Sequence, residues 1–172
     1  MALHGRPLGQ GYYAAAPMTG RHPASWRVPP QPEQVAVVRS ALVAAVRAWE
    51  PGLDDDMLMD VRLCVSELIS NAIVHTACPS TVSASWTGTR LRVEVADASL
   101  RPPVAEEDSD TRTRGRGLTV VQALAWDWGW YPAGSGKVVW FEIGHHRLTT
   151  SGKRLTILTQ MAHHRAAAPC PA

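Results

Sequence analysis

The sequence predicts a two-layer α/β (α+β) sandwich: a mixed, mostly antiparallel sheet with helices packed on one face. Three observations carry this. Residues 33–50 and 54–76 place apolar side chains at helical intervals. Residues 81–87 and 90–97 alternate polar and apolar around Gly88-Thr89, the pattern of a hairpin. A short helical pattern at 118–125 is then followed by two further strand patterns, at 126–131 and 137–143.

The 172 residues suffice for one domain with a proper core, plus tails. The expected division is a flexible arm at 1–27, a domain at 28–144 and a loosely ordered tail at 145–172. Hydrophobic content is 45% and charged content 19%, which fits a soluble globular protein. A net charge of +2 is too small to argue for direct nucleic-acid binding, and the arginines are scattered. The three cysteines show no CxxC spacing, so neither a zinc site nor a disulfide framework is supported. Their sparse, odd count suits a reducing cytoplasm. No run of about eighteen apolar residues predicts a membrane span.

The arm is rich in Gly, Pro and small residues. At its end, Trp26-Arg27-Val28 predicts a short edge strand before Pro29-Pro30. In the first helix Val35, Val38, Leu42, Val46 and Trp49 form the apolar stripe, and Pro51-Gly52 stops it. Arg39 lies off the stripe. A solvated surface arginine is the ordinary reading, and a phosphate or partner contact is the sharper one. Asp54-Asp55-Asp56 starts the second helix. Capping explains this row better than a metal site, because consecutive carboxylates do not converge on one ion.

The second helix organises the chain. Val61, Val65, Leu68, Ile69, Ala72 and Ile73 face a core, yet Glu67 and Asn71 share a face one turn apart, with His75 a turn further on. Desolvating such groups is costly unless they find partners. Taken singly, each reads as exposed or satisfied by backbone. Together they read as a pocket floor, in which Asn71 offers a neutral oxygen to a hard cation such as magnesium and Glu67 orients or deprotonates a hydroxyl.

Downstream, the strand at 90–97 delivers Asp97 at its C-terminal end. Residues 98–116 lack periodicity and hold an acidic run, then a basic run. A loop of that length is usually a lid or binding loop. Gly115-Arg116-Gly117-Leu118 ends it. Glycines directly before a helix let backbone N–H groups approach an anion. The alternating aromatics of 126–131 are better read as core and strand pairing than as a sugar or base platform. Residues 155–161 suggest one more short element.

This order of parts resembles the ATP-binding domain shared by gyrase, histidine kinases, MutL and a class of heat-shock chaperones, the GHKL superfamily with its Bergerat-type ATP fold. The carrying residues are E-L-x-x-N-A-x-x-H from Glu67 to His75, the strand ending in Asp97, the Gly115–Leu118 G-x-G-L, and the closing G-K-V-V-W-F-E strand. The chain looks most like the stand-alone anti-sigma factor serine kinases, especially their actinobacterial members. The resemblance spans about residues 28–144. It implies that Asn71 ligates a magnesium ion bridging the ATP phosphates. Glu67 would be the general base toward an acceptor serine, and Asp97 would accept from the adenine amino group. Gly115 and Gly117 would close the lid over the phosphates, Leu118 and His75 would line the pocket, and Arg116 would help neutralise charge. The pocket would lie between the helices and the lid, on the side away from the sheet. Two departures stand out. Asp97-Ala98-Ser99 replaces the usual D-x-G, which puts Ser99 beside the base. Lys137 and Val138 stand where a threonine is usual.

The resemblance implies a protein serine kinase that binds a sigma factor in one state and phosphorylates an anti-anti-sigma, STAS-domain partner in the other. A nucleotide-gated binding module without transfer is the alternative. A detached histidine-kinase catalytic domain fits less well, because no preceding helical hairpin with a phospho-accepting His is present. Family members are often dimers, so a homodimer is an expectation of the resemblance alone.

Overall fold

The structure, a computed structural model, describes residues 21–49, 52–103 and 116–144. The expectations for the arm at 1–20, the central lid at 104–115 with Gly115, and the tail with its element at 155–161 lie outside those residues.

The order is β1 (Arg21–Val28), α1 (Glu33–Ala48), α2 (Asp55–Thr76), β2 (Ser80–Trp86), β3 (Leu91–Asp97), α3 (Arg116–Leu124), β4 (Asp127–Ala133) and β5 (Gly136–Ile143). The five strands form one sheet in the order β1-β2-β3-β5-β4, with the helices on one face. Among the described strands every neighbouring pair is antiparallel, so the expected mixture of directions is not seen. β1 begins at Arg21, upstream of the three residues and of the arm boundary read from sequence. As an edge strand it tolerates Pro23, and its register breaks between Arg21 and Ala24.

The core lies between sheet and helices. Val38, Leu42 and Val46 of α1 are buried, as are Leu58, Val61, Val65, Leu68, Ile69 and Ala72 of α2. They meet Val82 and Ala84, Leu91, Val93 and Val95, and Phe141 on the facing side of the sheet. Strand side chains alternate between faces. Asp97 and Lys137, directly opposite each other, therefore continue the buried rows Leu91-Val93-Val95 and Val139-Phe141-Ile143 on the helix side. The aromatic strand behaves as expected, since Trp128 and Trp130 pack against the core.

The outer sheet face carries a polar network. Arg92 donates to Glu94 at 2.8 Å and to Glu142 at 3.2 Å, and its guanidinium lies over Trp140. The Tyr131 hydroxyl donates to Glu94. Burial, then the Glu94 charge, hold the Tyr131 phenol above its ordinary pKa.

Both ends of α2 have a local cause. At the start, Asp54 Oδ1 accepts from the Met57 backbone N–H at 2.7 Å, a side-chain N-cap. Asp55 instead meets Arg47 at 2.9 Å with both side chains largely exposed. At the end, Ala77 turns left-handed at φ 50° and donates to the Ile73 carbonyl. Asp54→Ala is expected to cost about 1 kcal/mol. Asp55→Ala should cost well under about 1 kcal/mol, because exposed pairs contribute little. Urea denaturation of the two variants checks the contrast, and equal losses would contradict the assignment of Asp54 as the cap.

Candidate functional site

The first half of the site is built on α2. A carboxylate and an amide four residues apart on a helix lie on one face. Glu67 and Asn71 are half-buried there, beside the buried positions Leu68 and Ala72. α3 packs against α2 and brings Gly117 to them. A Cβ on Gly117 would sit 2.9 Å from Glu67 Oε2 and 3.1 Å from Asn71 Nδ2. The missing side chain is thus the space that lets both polar groups and the backbone at the start of α3 share one spot. The amide nitrogen of Asn71 is turned toward Gly117, and Oδ1 is the hard oxygen of the same group.

The second half lies at the ends of β3 and β5. Asp97 Oδ1 accepts from the Ser99 backbone N–H at 2.7 Å and from Lys137 Nζ at 2.8 Å. The side chains of Asp97 and Lys137 are only 5% and 7% exposed. Gly136 makes the approach feasible, since a Cβ there would collide with the Asp97 carbonyl. Ser99 contributes its backbone N–H to Asp97, and its hydroxyl accepts from the Arg101 N–H. Asp97 faces the helices from the sheet itself. The site therefore reaches down to the sheet at this end, and does not lie wholly on the far side of the helix layer.

The remaining predicted residues are placed as follows. His75 is exposed in the last turn of α2 and does not share the half-buried setting of Glu67 and Asn71. Leu118 is buried in the core, so what it can offer a ligand is its backbone. Arg116 opens α3. Arg39 donates to Ser66 Oγ at 3.2 Å and ties α1 to α2. Sequence reasoning noted Lys137 only as an unusual residue and missed its bond to Asp97. The available signal was a lysine set against the apolar run of residues 138–141 in the same strand.

Cys64 lies on α2 three residues before Glu67. Burial, with the negative charges of Asp60 and Glu67, pushes its thiol far up, which removes it as a nucleophile. Among the described residues no group of three or more His, Cys, Asp or Glu side chains could hold a metal ion. A cation here would need ligand and water oxygens besides a protein oxygen, the usual way magnesium is held. No helix among the described residues is long and apolar enough to cross a membrane.

A five-stranded sheet under a helix layer, with a carboxylate–amide helix face against a glycine and a buried Asp at a strand end, defines an ATP-binding module of the GHKL class. The chain belongs to the histidine kinase-like ATPase domain family, whose model matches residues 28–143. No curated protein matches the chain. The residues suit ATP by their chemistry. Gly117 leaves the backbone at the start of α3 uncovered by a side chain beside Glu67 and Asn71, and N–H groups at a helix start favour an anion. The Asp97 carboxylate is an acceptor suited to an amino group.

Gly117→Ala is expected to leave the fold intact, because the added methyl meets the far ends of flexible side chains. It should weaken ATP binding by about tenfold or more, equivalent to about 1.4 kcal/mol. Thermal melting beside calorimetric titration checks this. Unchanged affinity would contradict a part for the Glu67–Asn71 face and Gly117 in nucleotide binding.

Proposed function

We propose that this chain is an ATP- and magnesium-dependent protein serine kinase of the anti-sigma type. It binds a sigma factor in one nucleotide state and phosphorylates a serine on a STAS-domain antagonist in the other. The observation that carries this is the pairing of Glu67 and Asn71 on one face of α2 against Gly117.

Each group has a role that its chemistry supports. Asn71 Oδ1 would take the magnesium ion, and the ion would supply charge neutralisation between the phosphates. Glu67 would hold and deprotonate the serine hydroxyl. A carboxylate one helical turn from the metal-binding amide suits a hydroxyl acceptor. Backbone N–H groups at the start of α3 would stabilise negative charge. Phosphoryl transfer asks for this positioning and neutralisation, with little covalent chemistry from the protein. The proposed site of action is the cytoplasm.

The alternative is a nucleotide-gated binding module, in which ATP only shifts partner affinity. The buried Lys137–Asp97 bond favours it to this extent: the base end of the site is already ordered by the chain itself.

Calorimetric titration with ATP, with and without magnesium, on the wild type and Asn71→Ala tests the site. Binding should depend on magnesium, and the substitution should weaken it by about tenfold or more, at least the cost of losing a group that only supports a metal ligand. Glu67→Gln should keep nucleotide binding while phosphate transfer to a STAS-domain serine disappears. Partner switching that survives Glu67→Gln in full would favour the gated module over the kinase.

A further inference from the structure

We propose that Lys137 is a second base-reading residue, which donates to a ring nitrogen of the purine while Asp97 accepts from the neighbouring amino group. The proposal rests on the reading of this site as a nucleotide site.

A lysine buried to 7% exposure at the start of a strand on the helix-facing side of the sheet needs a reason. Removing an ammonium and a carboxylate from water is costly, and a buried pair is seldom the most stable choice. The pair is also held more firmly than an incidental contact. Asp97 and Lys137 are register partners across β3 and β5. Gly136 lets the β5 backbone close onto the Asp97 carbonyl, and the Ser99 N–H holds Asp97 Oδ1 from the other side.

The hydrogen-bond inventory points to a ligand. An ionised carboxylate accepts up to about four hydrogen bonds, and an ammonium donates three. Among the described residues, the bonds to Asp97 all fall on Oδ1, and Lys137 donates only to that atom. Oδ2 and the other ammonium hydrogens are therefore an acceptor and a donor set side by side, fixed and largely dry. The exposed edge of adenine presents the complement, an amino donor adjacent to the N1 acceptor. Asp97 alone can read the amino group. The two residues together read both atoms, with Lys137 on N1. Because Lys137 is charged and desolvated, its bond is of the stronger kind.

The experiment is calorimetric titration of folded wild type, Lys137→Met and Lys137→Gln. The ligands are magnesium ATP and an ATP analogue with C–H in place of N1. The wild type should bind the analogue about tenfold or more weaker than ATP, the value of one charged hydrogen bond. Lys137→Met should bind both ligands with nearly equal affinity, the sign of direct coupling between residue and atom. Lys137→Gln keeps a neutral donor and should retain only part of the discrimination. If Lys137→Met does not melt cooperatively, Lys137→Gln decides, and an undiminished ratio there overturns the proposal. Equal affinities in the wild type, or a full ratio in Lys137→Met, would make Lys137 only the counter-ion of Asp97. Failure of folded wild type to bind either ligand would instead overturn the nucleotide reading, and this proposal with it.

Discussion

The second helix must do two things with one surface. It has to bury Val61, Val65, Leu68 and Ala72 against the sheet, and it has to present Glu67 and Asn71 without stranding them in the core. The helical period resolves this, because residues four apart align while their immediate neighbours turn about 100° away. The polar pair runs along the edge of the apolar stripe, where α3 packs alongside. That seam only closes over two polar side chains because Gly117 offers no side chain of its own. Position 117 is thus a consequence of the choice of Glu and Asn on α2, and the start of α3 is delivered to the site by the same contact that builds the core.

The other end of the site depends on strand register. Asp97 and Lys137 are 40 positions apart in sequence and meet because β3 and β5 pair antiparallel with these residues opposite each other. A one-residue slip of β5 against β3 would turn Lys137 to the outer face, away from Asp97 and toward the side where Arg92, Glu94 and Glu142 form a network. Gly136 is compatible with this pairing because a Cβ there would collide with the Asp97 carbonyl. The sheet is therefore more than a platform for the helices, because it places Asp97 and Lys137 at one end of the candidate site. The two halves of that site are built by different devices, a helix seam and a strand pair.

Much of this was legible in the chain. Periodicity found α1, α2 and α3, the Asp row was correctly read as a helix start, alternation found β2 to β4, and an apolar run found β5. These are local signals, each contained within one turn or one pleat. Legibility failed where the cause was distant. β1 has no clean alternation and contains Pro23, and it becomes a strand only because β2 offers an edge. Leu118 was read with the glycines before it, but its apolar side chain goes to the core and leaves only backbone for a ligand. His75 continues the line of Glu67 and Asn71 along the helix, yet α2 has nearly ended there and the residue is exposed. The Lys137–Asp97 bond was invisible because no local pattern reports which residues face each other across a sheet.

The most direct test of the central claim is amide chemical-shift mapping of the full chain during titration with magnesium ATP. The account predicts that the largest shifts fall at Asn71, at Gly117 and Leu118, and at Ser99. This would join the helix seam and the strand ends into one ligand footprint. Shifts confined to the outer face of β3 and β5, around Arg92 and Glu142, or no shifts at all, would contradict it.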